Sequence, residues 1–185
     1  MKFRDLTADE IDVRIQQVKD NGLSLLLFKD ARVDMNILDE TVDAENWQRE
    51  HYECKGNLFC RVGINVNAGF TTHIDENDNV YLTPLWVWKS DCGVESNTEA
   101  QKGEASDSFK RACFNWGIGR ELYTSPFIWI GADKCNIKQV GNAYKCFDKF
   151  IVEKIIIDNK QITALAIWNE TKNCRAFVWQ KEEKK

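Results

Sequence analysis

Between Leu58 and Val66 the chain alternates without a break. Leu58, Cys60, Val62, Ile64 and Val66 fall on one side, and Phe59, Arg61, Gly63 and Asn65 on the other. A period of two is the pattern of a strand with one face buried. Such a strand needs neighbours. Trp47 to Cys54 supplies one, joined through the turn chemistry of Lys55-Gly56-Asn57. Val80 to Lys89 supplies another, with Pro84 confining part of it to an edge or a bulge. Asn67 to Asn79, polar and holding Gly69, reads as the loop between them.

A long helix is expected next. Ser96 with Glu99, and Thr98 with Gln101, each fit a capping box. Ala105, Phe109, Ala112, Cys113 and Trp116 form one apolar stripe at helical spacing. Gly117 and Gly119 loosen or end the helix, and Pro126 stops any continuation. Ahead of the strands, Thr7 to Asn21 reads as a helix with a Thr7/Glu10 capping box, an Ile11, Ile15, Val18 face and Gly22 at its end. Leu23 to Phe28 is a short buried strand. Asp30 caps a second helix, Ala31 to Val42, with Val33, Ile37 and Leu38 inward. After Gly131 the segments 144–158, 162–168 and 175–179 read as a three-stranded meander, and KEEKK ends the chain as a solvated tail. The class is therefore α+β: an antiparallel β-β-β-α core, an N-terminal helix/strand/helix segment and a C-terminal three-stranded β-meander. The expected division is a core over 1–131 and a meander extension, packed on it, over 132–185.

Composition limits the function. The chain has 185 residues, 43% hydrophobic and 29% charged, which are globular proportions. Net charge is −4 and the pI is about 5.3, so the chain is not a general polyanion binder; a DNA site has to be a local basic strip. No apolar run approaches the roughly 20 residues of a membrane helix. No apolar stretch follows the basic residues of MKFRDLTADE, so no signal peptide is expected and the cytoplasm of a bacterial cell is the expected place. Seven cysteines, an odd number without a CxxC pair, read as buried reduced thiols.

Catalytic motifs are absent. No Walker sequence, GxSxG or GxGxxG occurs, and Gly117-Ile118-Gly119 is too short for a phosphate loop. His51 reads as a surface histidine in a strand. His73 lies near Asp75, Glu76 and Asp78, but IDENDN lacks the ligand order of an EF-hand. No cofactor or metal is expected. A nuclease reading would rest on those three acids alone.

The informative segment is KGEASDSFKRACFNWGIGRELY, Lys102 to Tyr123. Lys102, Ser106 and Lys110 are four apart and share one helix face; Arg111 follows Lys110 and stands four after Asp107, the spacing of a surface ion pair. Small residues here (Gly103, Ala105, Ser106, Ser108) permit close approach by another backbone, and hydroxyls with cations on one face suit phosphate. Trp86, Trp88, Trp116 and Phe114 are candidates for base stacking or for core packing. Trp86 and Trp88 share one strand face, with Lys89 on the other.

This segment resembles the signature helix of the Rad fifty-two superfamily of single-strand annealing proteins, especially its phage (Sak-type) members. The matching residues are Lys102, the small stretch, Ser106-Asp107, Phe109, Lys110-Arg111-Ala112 and Trp116-Gly117. Leu26 to Val33 and Asn46-Trp47 are similar to upstream elements, and the resemblance spans roughly residues 7 to 125. It implies ATP-independent binding and annealing of single-stranded DNA in recombination and repair by a homo-oligomeric ring, arc or filament. The strand would lie in a basic groove with its bases exposed. By carry-over Lys110 and Arg111 contribute to the groove, with Lys102, Ser106 and Lys89 beside them. Arg32, aligned with a basic position after the family's second strand, and Lys29 join the set. Some members carry a further arginine where Phe114-Asn115 stand here; Arg120, about one turn beyond Trp116 if the helix continues, is the substitute. A single-strand-binding protein or an exonuclease is the implied partner. The alternative reading is a protein-interaction module that keeps the fold without DNA binding.

Overall fold

The structure, a computed structural model, describes residues 1–94 and 100–182, with side chains for all of these except 67–69 and 100–102. It is an α+β fold rich in antiparallel strands. The chain divides into two compact units, Met1–Arg4 with Ala31–Ile118, and Asp5–Asp30 with Gly119–Lys185. The expected boundary at residue 131 falls inside the second of these.

The first unit holds the alternating segment. Strands β3 (Trp47–Cys54), β4 (Asn57–Ile74) and β5 (Val80–Cys92) form an antiparallel sheet in the order β3-β4-β5. Cys60, Val62 and Ile64 are fully buried, as the alternation requires. Against that face packs α2 (Ala100–Trp116), whose Phe109, Ala112 and Cys113 are also fully buried. The helix α1 (Ala31–Val42) buries Ile37 and Leu38, and Val33 is half-buried. The capping pairs Ser96/Glu99 and Thr98/Gln101 lie outside the described residues or side chains.

The expected loop over 67–79 is instead strand and turn. β4 runs to Ile74 and β5 starts at Val80, so the hairpin extends beyond the sheet as a two-stranded arm. A register shift between Asn65 and Phe70 separates arm from sheet. The turn is built on Asp75. Its Oδ1 accepts from the Asn77 and Asn79 N–H groups at 2.8 and 2.9 Å, and its Oδ2 from Asn79 Nδ2 and the Tyr81 hydroxyl at 3.0 Å each. The hydrogen bonds from Asn79, then those from Asn77 and Tyr81, hold this carboxyl down at about 2.

The second unit is a six-stranded antiparallel sheet in the order β11-β10-β9-β1-β2-β6. Its members are β1 (Asp12–Lys19), β2 (Gly22–Phe28), β6 (Ile128–Gly131), β9 (Phe150–Asp158), β10 (Gln161–Asn169) and β11 (Cys174–Gln180). The meander β9-β10-β11 is present as expected, with β1, β2 and β6 completing its sheet. A separate hairpin joins β7 (Ile137–Val140) to β8 (Ala143–Cys146). Asp148, just after it, accepts from Asn136 and from Asn169. Burial pushes the Asp148 carboxyl up, and these hydrogen bonds outweigh it and hold it below the ordinary value.

The helix expected over 7–21 is a correction. Only Ala8–Glu10 turns, as a short 3-10 helix whose Thr7 N–H donates to Glu10 Oε2 at 2.9 Å. The rest is β1, paired with β2 from Asp12↔Phe28 to Lys19↔Gly22. The register slips between Ile15 and Gln17, which places one extra residue in β1. That bulge puts Ile15 and Val18 on the same side, three apart, and so mimics helical spacing.

None of the seven cysteines is in a disulfide. Cys60, Cys113, Cys135 and Cys146 are buried as expected, whereas Cys54 is exposed and Cys92 and Cys174 are half-buried. Burial pushes the Cys60 thiol up to about 11, against the pull of Arg49. Among the described residues no helix is long and apolar enough to cross a membrane.

Candidate nucleic-acid interface

α2 sits on the sheet because side chains on one face of three strands reach it. From β3, Trp47 stacks on Phe109 with ring centroids 6.2 Å apart, and the Arg49 guanidinium lies 4.7 Å over the same ring. The His51 Nε2 is 3.0 Å from the Ala105 carbonyl, so His51 is tied to the helix instead of standing free as a surface histidine. From β4, the Val62 carbonyl accepts from Trp116 Nε1 at 3.0 Å, and Trp116 is thereby a packing residue. Just beyond β5, Gly93 runs under the helix: a Cβ there would lie 2.2 Å from the Glu104 carbonyl oxygen. Only glycine permits that approach.

With Phe109, Ala112 and Cys113 inward, Ser106, Lys110 and Arg111 remain partly exposed. Lys110 makes no hydrogen bond or ion pair among the described residues, so its ammonium donors are available. Arg111 is 39% exposed and its Nε lies 3.4 Å from Asp91 Oδ1. Asp91 stands on β5, the strand on which the helix packs. Asp107, the partner expected from i,i+4 spacing, accepts instead from the Val94 N–H at 3.1 Å. Asn115 joins the same brace, donating to the Ser90 carbonyl at 3.0 Å and to Asp91 Oδ2 at 3.4 Å.

Lys89 stands on the helix-facing side of β5, where its Nζ donates to the Asn115 carbonyl at 2.9 Å and lies 4.5 Å over the Trp116 ring. A cation on the last carbonyls of a helix complements its dipole. Lys89 is therefore held at the C-terminal end of α2, half-buried, beside the Lys110–Arg111 strip. Trp86 and Trp88 occupy the opposite face of the sheet, 6.3 Å apart, with the Arg61 guanidinium 4.5 Å over Trp88.

The other expected cations are placed differently. Lys102 lies in α2, and its side chain is outside those described. Arg32 is exposed in the first turn of α1. Lys29 is only 1% exposed, so it is neither a solvated charge nor a surface ligand for phosphate. Arg120 is exposed but belongs to the other unit. The helix does not continue to it: Gly117 takes φ +94° and Gly119 φ +69°, left-handed values that end α2 at Trp116. Asp91 and Asn115 are the positioning residues that sequence reading missed. Their signal is the period of β5, which puts Asp91 on the same face as Lys89, two residues away.

Among the described residues no group of three or more His, Cys, Asp or Glu side chains is arranged to hold a metal ion. What the strip offers is charge and hydroxyl donors for anionic oxygens. No curated protein and no solved structure matches the chain. A sequence model described as Rad52/22 family double-strand break repair protein matches residues 4–140, which covers the whole β-β-β-α arrangement. The chain belongs to the Rad52/22 family of double-strand break repair proteins.

Proposed function

We propose that this repair protein binds single-stranded DNA along the α2 strip of Lys110 and Arg111, with Ser106 and Lys89 beside it, and anneals complementary strands as a homo-oligomeric ring or arc without ATP. The observation that carries the reading is the brace on α2: Asp91 and Asn115 fix the helix edge to β5 while the Lys110 ammonium stays available. Cations held on a packed scaffold bind phosphate without first losing side-chain freedom.

Physical chemistry supplies the rest. Phosphate repulsion keeps complementary strands apart, and a cationic strip neutralises it while releasing counterions. Contacts to phosphate leave the bases to choose their partner by pairing. Repetition of the strip through an oligomer turns weak contacts into avidity. Pairing and stacking provide the free energy, so no bond is made or broken by the protein. Lys102 extends the same helical face by its spacing. Lys29, buried, is left out, and Arg32 and Arg120 are not needed.

The test is binding of labelled poly-dT at several salt concentrations. Wild type is expected to bind with affinity that falls steeply with salt, and Lys110→Ala/Arg111→Ala to flatten that dependence while keeping the wild-type melting temperature. Absence of binding at low salt would leave a protein-interaction module as the better reading, which the net charge of −4 favours.

A further inference from the structure

The β4–β5 arm presents an apolar face that none of the described residues covers. The register pairs Phe70 with Pro84, Thr72 with Leu82 and Ile74 with Val80, and these six side chains share one side. None of them is buried, and Phe70, Ile74, Val80 and Leu82 are 58–66% exposed. A two-stranded hairpin alone in water is marginal at best, and this one keeps its apolar side wet. The arm is therefore built to be covered.

Charge decides by what. No Lys or Arg occurs from residue 62 to 88, and Asp75, Glu76 and Asp78 crowd the tip. Such a surface has no cation to neutralise phosphate and repels it at the tip, which favours a protein occupant over a nucleic acid. The complementary surface is on this chain. In the β7–β8 hairpin Lys138 stands directly opposite Lys145, both exposed, and no acid occurs from Asn136 to Phe147. Like charges in directly opposed positions destabilise a hairpin until an anion relieves them. Val140 and Ala143 lie on the same side as the two lysines, and Val140 is 48% exposed.

We infer that the arm of one copy docks on the β7–β8 hairpin of a second copy, its acidic tip against Lys138 and Lys145 and its apolar side against Val140 and Ala143. The inference rests on the homo-oligomer in the proposed function and names its contact. Each copy carries one half of each kind, so the contact is head-to-tail. A head-to-tail contact repeats, closing into a ring or running on as a filament.

The test is mass distribution by sedimentation velocity over a range of protein concentration, with poly-dT binding read in parallel. Ile74→Thr/Leu82→Thr, which keeps strand-forming residues, and Lys138→Glu/Lys145→Glu are each expected to raise the half-assembly concentration at least tenfold. Melting curves check that each variant remains folded. Glu76→Lys alone weakens assembly, and Glu76→Lys combined with Lys138→Glu/Lys145→Glu restores it. Assembly of all variants at the wild-type concentration overturns the contact, while wild-type assembly and DNA binding keep the proposed function. Loss of DNA binding with unchanged assembly in Lys138→Glu/Lys145→Glu overturns it too, and assigns the lysine pair to phosphate. A wild type that stays monomeric overturns both the contact and the oligomer.

Discussion

Arg111 of α2 and Asp91 of β5 meet with Nε and Oδ1 3.4 Å apart. The carboxylate orients the guanidinium and also competes with any phosphate for it. Both side chains are partly exposed, 39% and 28%, so the pair contributes little to stability, about 0.2–1 kcal/mol. Asp91→Asn keeps a hydrogen-bonding side chain and removes the competing charge. It is expected to tighten poly-dT binding and to steepen the salt slope by about 0.7, the value of one added phosphate contact on single strands. An unchanged affinity and slope would show that Asp91 does not compete with phosphate for Arg111.

The seat of α2 on the sheet depends on Gly93. An alanine Cβ would come within 2.2 Å of the Glu104 carbonyl oxygen and 3.0 Å of the Ser108 nitrogen, both backbone atoms. Neither can yield without moving the helix. Gly93→Ala is expected to destabilise the protein by about 1–3 kcal/mol, the usual cost of overpacking. Chemical denaturation monitored by tryptophan fluorescence measures it, and an unaltered midpoint would contradict the close approach.

Asp75 makes the arm's turn dependent on pH. Its carboxyl is held at about 2, below the ordinary 3.8, chiefly by the Asn79 hydrogen bonds. A carboxyl lowered on folding stabilises the turn fully above the unfolded value, and loses that contribution as pH falls through the folded one. The turn is therefore expected to persist at pH 3 and to loosen towards pH 2. NMR titration of the Asn77 and Asn79 amides follows it directly. A midpoint near 3.8 would mean that the carboxyl is free.

Parts of this architecture were legible because one period dominated. The alternation at 58–66 fixed β4 and its buried face, and the stripe of Phe109, Ala112 and Cys113 fixed the side of α2 that packs on it. β1 was not legible, because a single bulged residue placed Ile15 and Val18 three apart. The arm was not legible either. Its strands pack on no other element that would demand burial of one face, and in sequence the turn residues Asp75 to Asn79 read as part of a longer polar loop. In the candidate strip, Lys110 and Arg111 stand out by spacing and resemblance. The partner of Arg111 does not, since sequence separation hides a neighbour twenty residues away on the sheet. Burial of Lys29 gave no sequence signal at all.

Annealing through the α2 strip can be followed as it happens. The direct measurement is the rate at which two complementary labelled oligonucleotides pair, without ATP, in the presence of wild type or Lys110→Ala/Arg111→Ala. Wild type is expected to accelerate pairing well above the spontaneous rate, and the folded double variant to lose at least tenfold of the acceleration. Equal acceleration by both proteins, or none by wild type, would contradict annealing through this strip.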